Sequence, residues 1–225
     1  MADPSYSLEP TAGYHQYKVT AMLRDYLGML MEEQDSHEAI QQILQLIDNY
    51  TSQLGTLKQV NRFETIKEVY KAIDGFFEKA PEENKSGIQC RSGCTACCFI
   101  PLDISADEAA LVIDHCRGNN IAIDQEYLTN QATAGRTSYS DFSRCVFLKD
   151  NLCSIYPVRP VACRKHWVNS DPALCDFSAN IANKVDRYFN INSEILASAL
   201  LNVTETEPME SALLKALNKP AATSL

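Results

Sequence analysis

The stretch Cys90-Arg91-Ser92-Gly93-Cys94-Thr95-Ala96-Cys97-Cys98 places four thiols within nine residues. Core packing does not call for them, because a small apolar residue fills the same space without the susceptibility to oxidation. Soft thiolates three or four positions apart on a turning backbone suit zinc or an iron–sulfur cluster, and Gly93 lets the chain fold back so that several sulfurs aim inward. A second group follows at Cys145, Cys153 and Cys163, and Cys175 comes after it. The candidate metal ligands are therefore Cys90, Cys94, Cys97, Cys98, Cys145, Cys153, Cys163 and Cys175. Eight thiols are enough for two four-thiolate zinc sites, or for one four-iron cluster with sulfurs to spare. Adjacent Cys97 and Cys98 are expected to project in different directions, so that one of them could serve a different centre or act as a redox-active thiol.

The remaining donors weigh less. Cys116 falls on a helical pattern far from any second thiol and reads as a core cysteine. His15, His37 and His115 have no partner ligand at metal spacing and read as surface or capping residues. His166 stands three residues after Cys163, at a ligand-like spacing, but thiols are numerous enough without it. Trp167, the only tryptophan, could shield the centre from water.

The chain has 225 residues, nine of them cysteines, and a formal net charge of -9. No apolar run reaches the ~20 residues that span a bilayer, and the first residues have neither a basic nor an apolar leader segment. A cytoplasmic protein is expected, with no membrane partner. Thiols stay reduced in that compartment, and an odd count leaves one cysteine unpaired, so a disulfide framework is the weaker reading. The acidic balance argues against a nucleic-acid partner, since phosphate binding needs a basic face. Thiolates add further negative charge, which a bound cation offsets. Arg91, Arg144, Arg159, Arg164 and Lys165 lie close to cysteines and could supply further positive charge; the plainer alternative for each is solvated surface.

The elements that must position these groups are read from periodicity. Residues 1–13 look like a flexible terminus. Apolar residues recur at helical spacing at Val19, Leu23, Tyr26, Leu27 and Leu30, again from Ile40 to Leu54 after a Ser36 cap, and again from Phe63 to Phe77, stopping near Pro81. Residues 81–87 form a polar link. Ser105-Ala106-Asp107-Glu108 is a capping box that opens a helix running through Cys116. Asp150-Asn151 sits between β-prone residues and predicts a hairpin. A two-residue turn there would pair Leu148 with Cys153 and send Cys145 and Cys153 to opposite faces, whereas a three-residue loop would pair the two cysteines. Pro157 and Pro160 are expected to hold Arg159 and Cys163 in a rigid, non-helical course. Cys175 is expected to open a helix whose dipole favours its thiolate. Further helices are expected from Asn192 to Leu201 and from Pro208 to Leu217, before a polar tail.

The fold class expected is mainly α with small irregular β content: N-terminal helices packed on a cysteine-rich metal-binding domain with a short hairpin. The expected organisation is a helical region at 14–80, the cysteine-cluster domain at 88–190, and C-terminal helices and tail at 191–225.

Cys90-x3-Cys94-x2-Cys97-Cys98, followed by Cys145-x7-Cys153-Ser154-Ile155-Tyr156-x2-Arg159-Pro160-x2-Cys163-Arg164, resembles the YkgJ-type cysteine-cluster family of zinc- or iron-chelating domains, across residues 88 to 176. The resemblance implies a metal-binding domain with the matching cysteines as ligands and no assigned reaction. Flagellin lysine methylases are similar over such a cluster. Against a methyltransferase domain stand the short chain and the lack of a glycine-rich strand-to-helix turn that would cradle S-adenosylmethionine. Cys90-x3-Cys94-x2-Cys97 also has the spacing of the radical S-adenosylmethionine motif, but no alternation of strands and helices follows it.

Three functions from different classes follow. The first is a metal-binding module, zinc or iron–sulfur, whose acidic helical parts dock to a protein partner. The second is a redox or group-transfer enzyme, including a protein methylase-like modifier, that uses an exposed metal-bound thiolate or cluster. The third, a nucleic-acid-binding zinc protein, is disfavoured by the charge.

Overall fold

The computed structural model describes residues 17–33, 36–134, 144–175 and 185–219. The expectations for residues 1–13, His15, Ile181 and the end of the polar tail lie outside them. The described residues are mainly α, with nine α-helices and two short antiparallel strand pairs, which is the class that the periodicity predicts. They divide into two compact units, Met1–Thr65 with Phe189–Thr204, and Ile66–Tyr188 with Glu205–Leu225.

The first unit is built from α1 (Ala21–Glu32), α2 (His37–Val60) and α8 (Ile191–Val203). Leu23 and Leu27 of α1, Ile40, Ile43 and Ile47 of α2, and Ile195 of α8 share one apolar cluster, as the 3.6-residue spacing requires. Thr20 caps α1 by accepting a hydrogen bond from the Leu23 amide at 3.3 Å. Ser36 stands at the start of α2 but does not cap it through its side chain; its hydroxyl donates to Glu33 at 3.3 Å. Its backbone, at φ -89° and ψ -1°, lies in the helical region and not in the extended one that a capping side chain needs.

The second unit contains α3 from Ile66 onward (the helix is Arg62–Glu78), a single turn α4 (Glu82–Lys85) inside the polar link, α5 (Ala106–Gly118), α6 (Gln125–Ala134), α7 (Val161–Arg164) and α9 (Met209–Leu217). The expected capping box is present in full: Glu108 donates its amide to the Ser105 hydroxyl and accepts from the Ser105 amide at 3.0 Å. The core joins Val112, Ile113 and Cys116 of α5, Leu128 of α6, Leu213 and Ala216 of α9, and Phe147 and Ile155 from the region of the hairpin. Cys116 is a core residue, and burial pushes its thiol up to about 11. A pairing that periodicity does not announce joins β1 (Asp103–Ser105) to β4 (Thr206–Pro208), with Ile104 opposite Glu207. It clamps α9 beside α5 by their preceding strands.

Candidate metal centre

The nine-residue cysteine stretch is held at both ends by main-chain bonds. The Gln89 amide donates to the Val168 carbonyl at 2.9 Å. The Cys94 amide donates to the Arg91 carbonyl at 3.0 Å, closing a turn through Gly93, whose φ of 84° lies in the left-handed region. Nothing stands within 4 Å of where a Cβ would be at Gly93. The glycine is thus demanded by conformation, not by space. Ala96–Phe99 then forms a 3₁₀ turn carrying Cys97 and Cys98, and it packs against a second 3₁₀ turn, Pro172–Cys175.

The hairpin uses the two-residue turn. Asp150 and Asn151 both have positive φ, 49° and 60°, the backbone that matches strand twist in a tight hairpin. Leu148 of β2 (Leu148–Lys149) pairs with Cys153 of β3 (Leu152–Cys153). The expected consequence, Cys145 and Cys153 on opposite faces, is corrected. Cys145 precedes the ladder in a turn closed by the Leu148 amide donating to its carbonyl at 3.0 Å, so strand alternation does not govern its direction, and both cysteines line one cavity.

Cys163 is also corrected: it lies in a helical turn, α7, with Pro160 at its N-terminal cap. A proline there has the φ that a helix entrance needs and no amide to leave orphaned. The orphan amide of Val161 is met from far along the chain, by the buried Glu108 carboxylate at 2.9 Å. Tyr70 donates to the same carboxylate oxygen at 3.4 Å, and burial followed by the Glu108 charge raises its phenol well above its ordinary value. At the other end of α7 the buried Arg164 guanidinium pairs with Asp74, donates to the Pro157 carbonyl, and lies 4.1 Å over the Tyr70 ring. No spacing rule signals Glu108, Asp74 or Tyr70 as supports of the thiols.

Cys90, Cys94, Cys97, Cys98, Cys145, Cys153 and Cys163 all line one cavity of about 700 Å³. The two sequence-distant groups meet through a main-chain bond, the Cys145 amide donating to the Cys98 carbonyl at 2.8 Å. All nine cysteines are thiols, none in a disulfide. His166 and Trp167 share the cavity wall, and Trp167 is stacked on Phe77 with centroids 4.3 Å apart.

Thiol crowding is visible in the acidities. The two vicinal thiols act on each other: the neighbouring Cys98 lowers Cys97 to about 7, while Cys97 together with burial raises Cys98. Desolvation, then the neighbouring charges of Cys145, Cys97 and Cys153, raises Cys163 well above its ordinary value. Burial likewise raises Cys153 and Cys90, opposed by the amides of Ile155 and Val168 respectively. Arg159 is one cation of the cavity wall, which Arg91 shares. It lies 3.8 Å over the Tyr156 ring, is paired with Asp74 at 3.6 Å, and favours the thiolates of Cys97 and Cys153.

Cys175 is buried at the end of its 3₁₀ turn. The expected helix after it falls partly outside the described residues, and Val185, Tyr188 and Phe189, which are described, are not helical. Its thiol goes up, to about 11, because burial dominates and Cys90, Cys94 and Cys97 add like charge. The helix whose dipole is expected to favour the thiolate would begin in residues 176–184, outside the described ones.

The donors fit a soft metal by type. Beyond the thiols, the Nε2 atom of His166 is buried with no hydrogen-bond partner, and burial holds the imidazole down to about 4, so it is a neutral nitrogen donor. Among the described residues, no three His, Cys, Asp or Glu side chains stand in a metal-holding arrangement.

Residues 89–186 match a family model, CxxCxxCC, described as "Putative zinc- or iron-chelating domain". The chain has three residues between its first two cysteines where that name has two, and left-handed Gly93 is among them. Neither a curated protein nor a solved structure matches the chain.

Proposed function

We propose that residues 89–186, which carry a domain of the CxxCxxCC family, hold a thiolate-ligated zinc or iron–sulfur centre. Its ligands are drawn from Cys90, Cys94, Cys97, Cys98, Cys145, Cys153, Cys163 and Cys175. The observation that carries this reading is the Cys98–Cys145 main-chain bond inside a cavity walled by seven thiols. Crowding so many ionisable sulfurs is unfavourable unless a cation neutralises them. When bound, zinc supplies a redox-inert clamp and an iron–sulfur cluster supplies one-electron transfer. The chain's own part is to present thiols from the 3₁₀ turn at Ala96–Phe99, β3 and α7, with Arg159 stabilising their charge. Thiols held in reduced form fit the cytoplasm, where we place the protein. No described helix is long and apolar enough to cross a membrane.

The cavity volume favours a second reading, a redox or group-transfer enzyme. A single coordinated ion does not fill about 700 Å³, and small-molecule sites occupy about 300–1,000 Å³. Anaerobic purification with metal analysis and an absorption spectrum tests the main reading. Brown protein absorbing near ~400 nm means iron–sulfur, and colourless protein with stoichiometric zinc means a zinc centre. Protein free of both metals overturns the proposal.

A further inference from the structure

We propose that the thiol-lined cavity also takes a small organic carboxylate, with its charged end on Arg159 and its aliphatic body along the apolar wall. This rests on the reading of the cavity as a metal centre and deepens it by naming the class of molecule that shares the space with the ion.

The wall divides by chemistry. Beyond the thiols, Ile100, Leu102, Leu148 and Met209 give it an aliphatic side, and Arg91 and Arg159 are its cations, with no Asp or Glu among the described residues that line it. The chain as a whole has 29 acidic against 20 basic residues, so the wall's fixed charges run against the chain's net balance. A cleft with low-dielectric walls and one sign of charge focuses the field and concentrates ions of the opposite sign. Free thiolates would cancel that field. A bound metal ion takes up their charge and leaves the guanidinium groups for a second anion.

Arg159 is positioned for the charged end. Its side chain is 11% exposed. Nη1 donates to the Tyr156 carbonyl at 3.1 Å, and the guanidinium lies 3.8 Å over the Tyr156 ring, so the group is held in one orientation. Asp74 stands 3.6 Å from Nη2, outside hydrogen-bond range, and is bonded to Arg164 instead. A planar fork, already oriented and with N–H groups to spare, meets a carboxylate through two parallel hydrogen bonds.

The aliphatic end has its own surface. Among the described residues of the second unit, Leu152 and Tyr156 are the large hydrophobics that stand exposed, at 56% and 54%, and both line this cavity. Being at once part of the wall and open to solvent, they mark where the cavity meets water. Apolar surface gathered at a cavity of this size, with a few oriented polar groups inside, is the pattern of a small-molecule site.

The test uses the full chain, purified anaerobically with its metal, and octanoate as the probe. Octan-1-ol and octylamine serve as uncharged and cationic counterparts. Trp167, the only tryptophan and part of the wall, reports occupancy by its fluorescence, and calorimetry gives the affinity. Octanoate is expected to bind at least about tenfold more tightly than either counterpart, and Arg159→Gln to lose about 10–100-fold for octanoate and nothing for octan-1-ol. Leu152 is exposed, so its variants are expected to fold: Leu152→Glu should weaken octanoate binding and Leu152→Lys strengthen it, each about threefold. Metal analysis accompanies every variant. Octanoate that does not bind the metal-loaded wild type overturns the proposal, and so does either counterpart binding as tightly. Full octanoate affinity in an Arg159→Gln protein that keeps its metal also overturns it. If Arg159→Gln loses its metal, the Leu152 pair decides, and equal octanoate affinity in the two overturns the proposal. Wild type purified without metal overturns the metal reading itself.

Discussion

The Cys145 amide and the Cys98 carbonyl, 47 positions apart in sequence, are hydrogen-bonded at 2.8 Å. That one bond fixes the hairpin's approach to the vicinal thiols, and it uses main-chain atoms, leaving both sulfurs for chemistry.

Removing a thiol from this meeting point is expected to remove metal. Cys163→Ser and Cys94→Ser should each lower bound metal, measured by elemental analysis after anaerobic purification, whereas Cys116→Ala, in the α5–α9 core, should leave the content unchanged at a stability loss of about 1 kcal/mol. Full metal retention in Cys163→Ser would contradict the ligand assignment.

Glu108 joins the capping box to α7, and its loss should be felt at the thiols. Glu108→Ala leaves the Val161 amide buried without its partner, costing about 1–3 kcal/mol, with about 1 kcal/mol more for the cap. Urea unfolding of the metal-free protein measures this. Faster labelling of Cys163 by a thiol reagent is the accompanying readout, and unchanged stability would mean that water replaces the carboxylate at no cost.

Arg164 holds α7 from the other end. Arg164→Ala strands the Pro157 carbonyl and half of the Asp74 charge, so a loss of about 2 kcal/mol or more is expected. Arg164→Lys should recover only part of it, since one ammonium cannot reproduce the planar fork that reaches both Asp74 and Pro157 while lying over Tyr70. A lysine variant as stable as wild type would argue that charge alone matters.

The response to pH has two limbs in the metal-free protein. His166 is held neutral, with its value lowered to about 4, so the unfolded chain binds more protons than the fold below the ordinary imidazole value of about 6.5. Stability should therefore be present above that pH and be lost as pH falls towards about 4. Cys163, Cys153 and Cys90 are raised, so the unfolded chain loses thiol protons first on the alkaline side, and stability should fall as pH rises past about 8.5. Metal loading must expel those thiol protons, so apparent affinity should rise steeply with pH, with proton release seen on titration in weak buffer. Metal affinity independent of pH would rule out thiolate ligation.

Local signals in the sequence were readable where a residue acts on its own neighbourhood. Ser105 and Glu108 announce the start of α5 because capping is a matter of three residues. The Asp150-Asn151 pair narrows the hairpin to two registers, and two left-handed residues select between them. Long-range consequences were not readable. Nothing near Glu108 in sequence shows that its second carboxylate oxygen reaches Val161, 53 positions on, or that Pro160 opens a helical turn instead of extending the chain. Cys145 illustrates the limit of pattern reading. Alternation assigns faces only within a ladder, and Cys145 lies one turn before it. The thiol of Cys175 is raised by burial and by Cys90, Cys94 and Cys97, neighbours that no local spacing announces.

The β1–β4 pairing carries an implication for biogenesis. A ribosome extrudes every cysteine of this chain before it reaches Thr206, yet the second unit's core needs Met209, Leu213 and Ala216. Nascent thiols thus wait, exposed to oxidants and to stray ions, until the returning strand arrives to shut the fold around them.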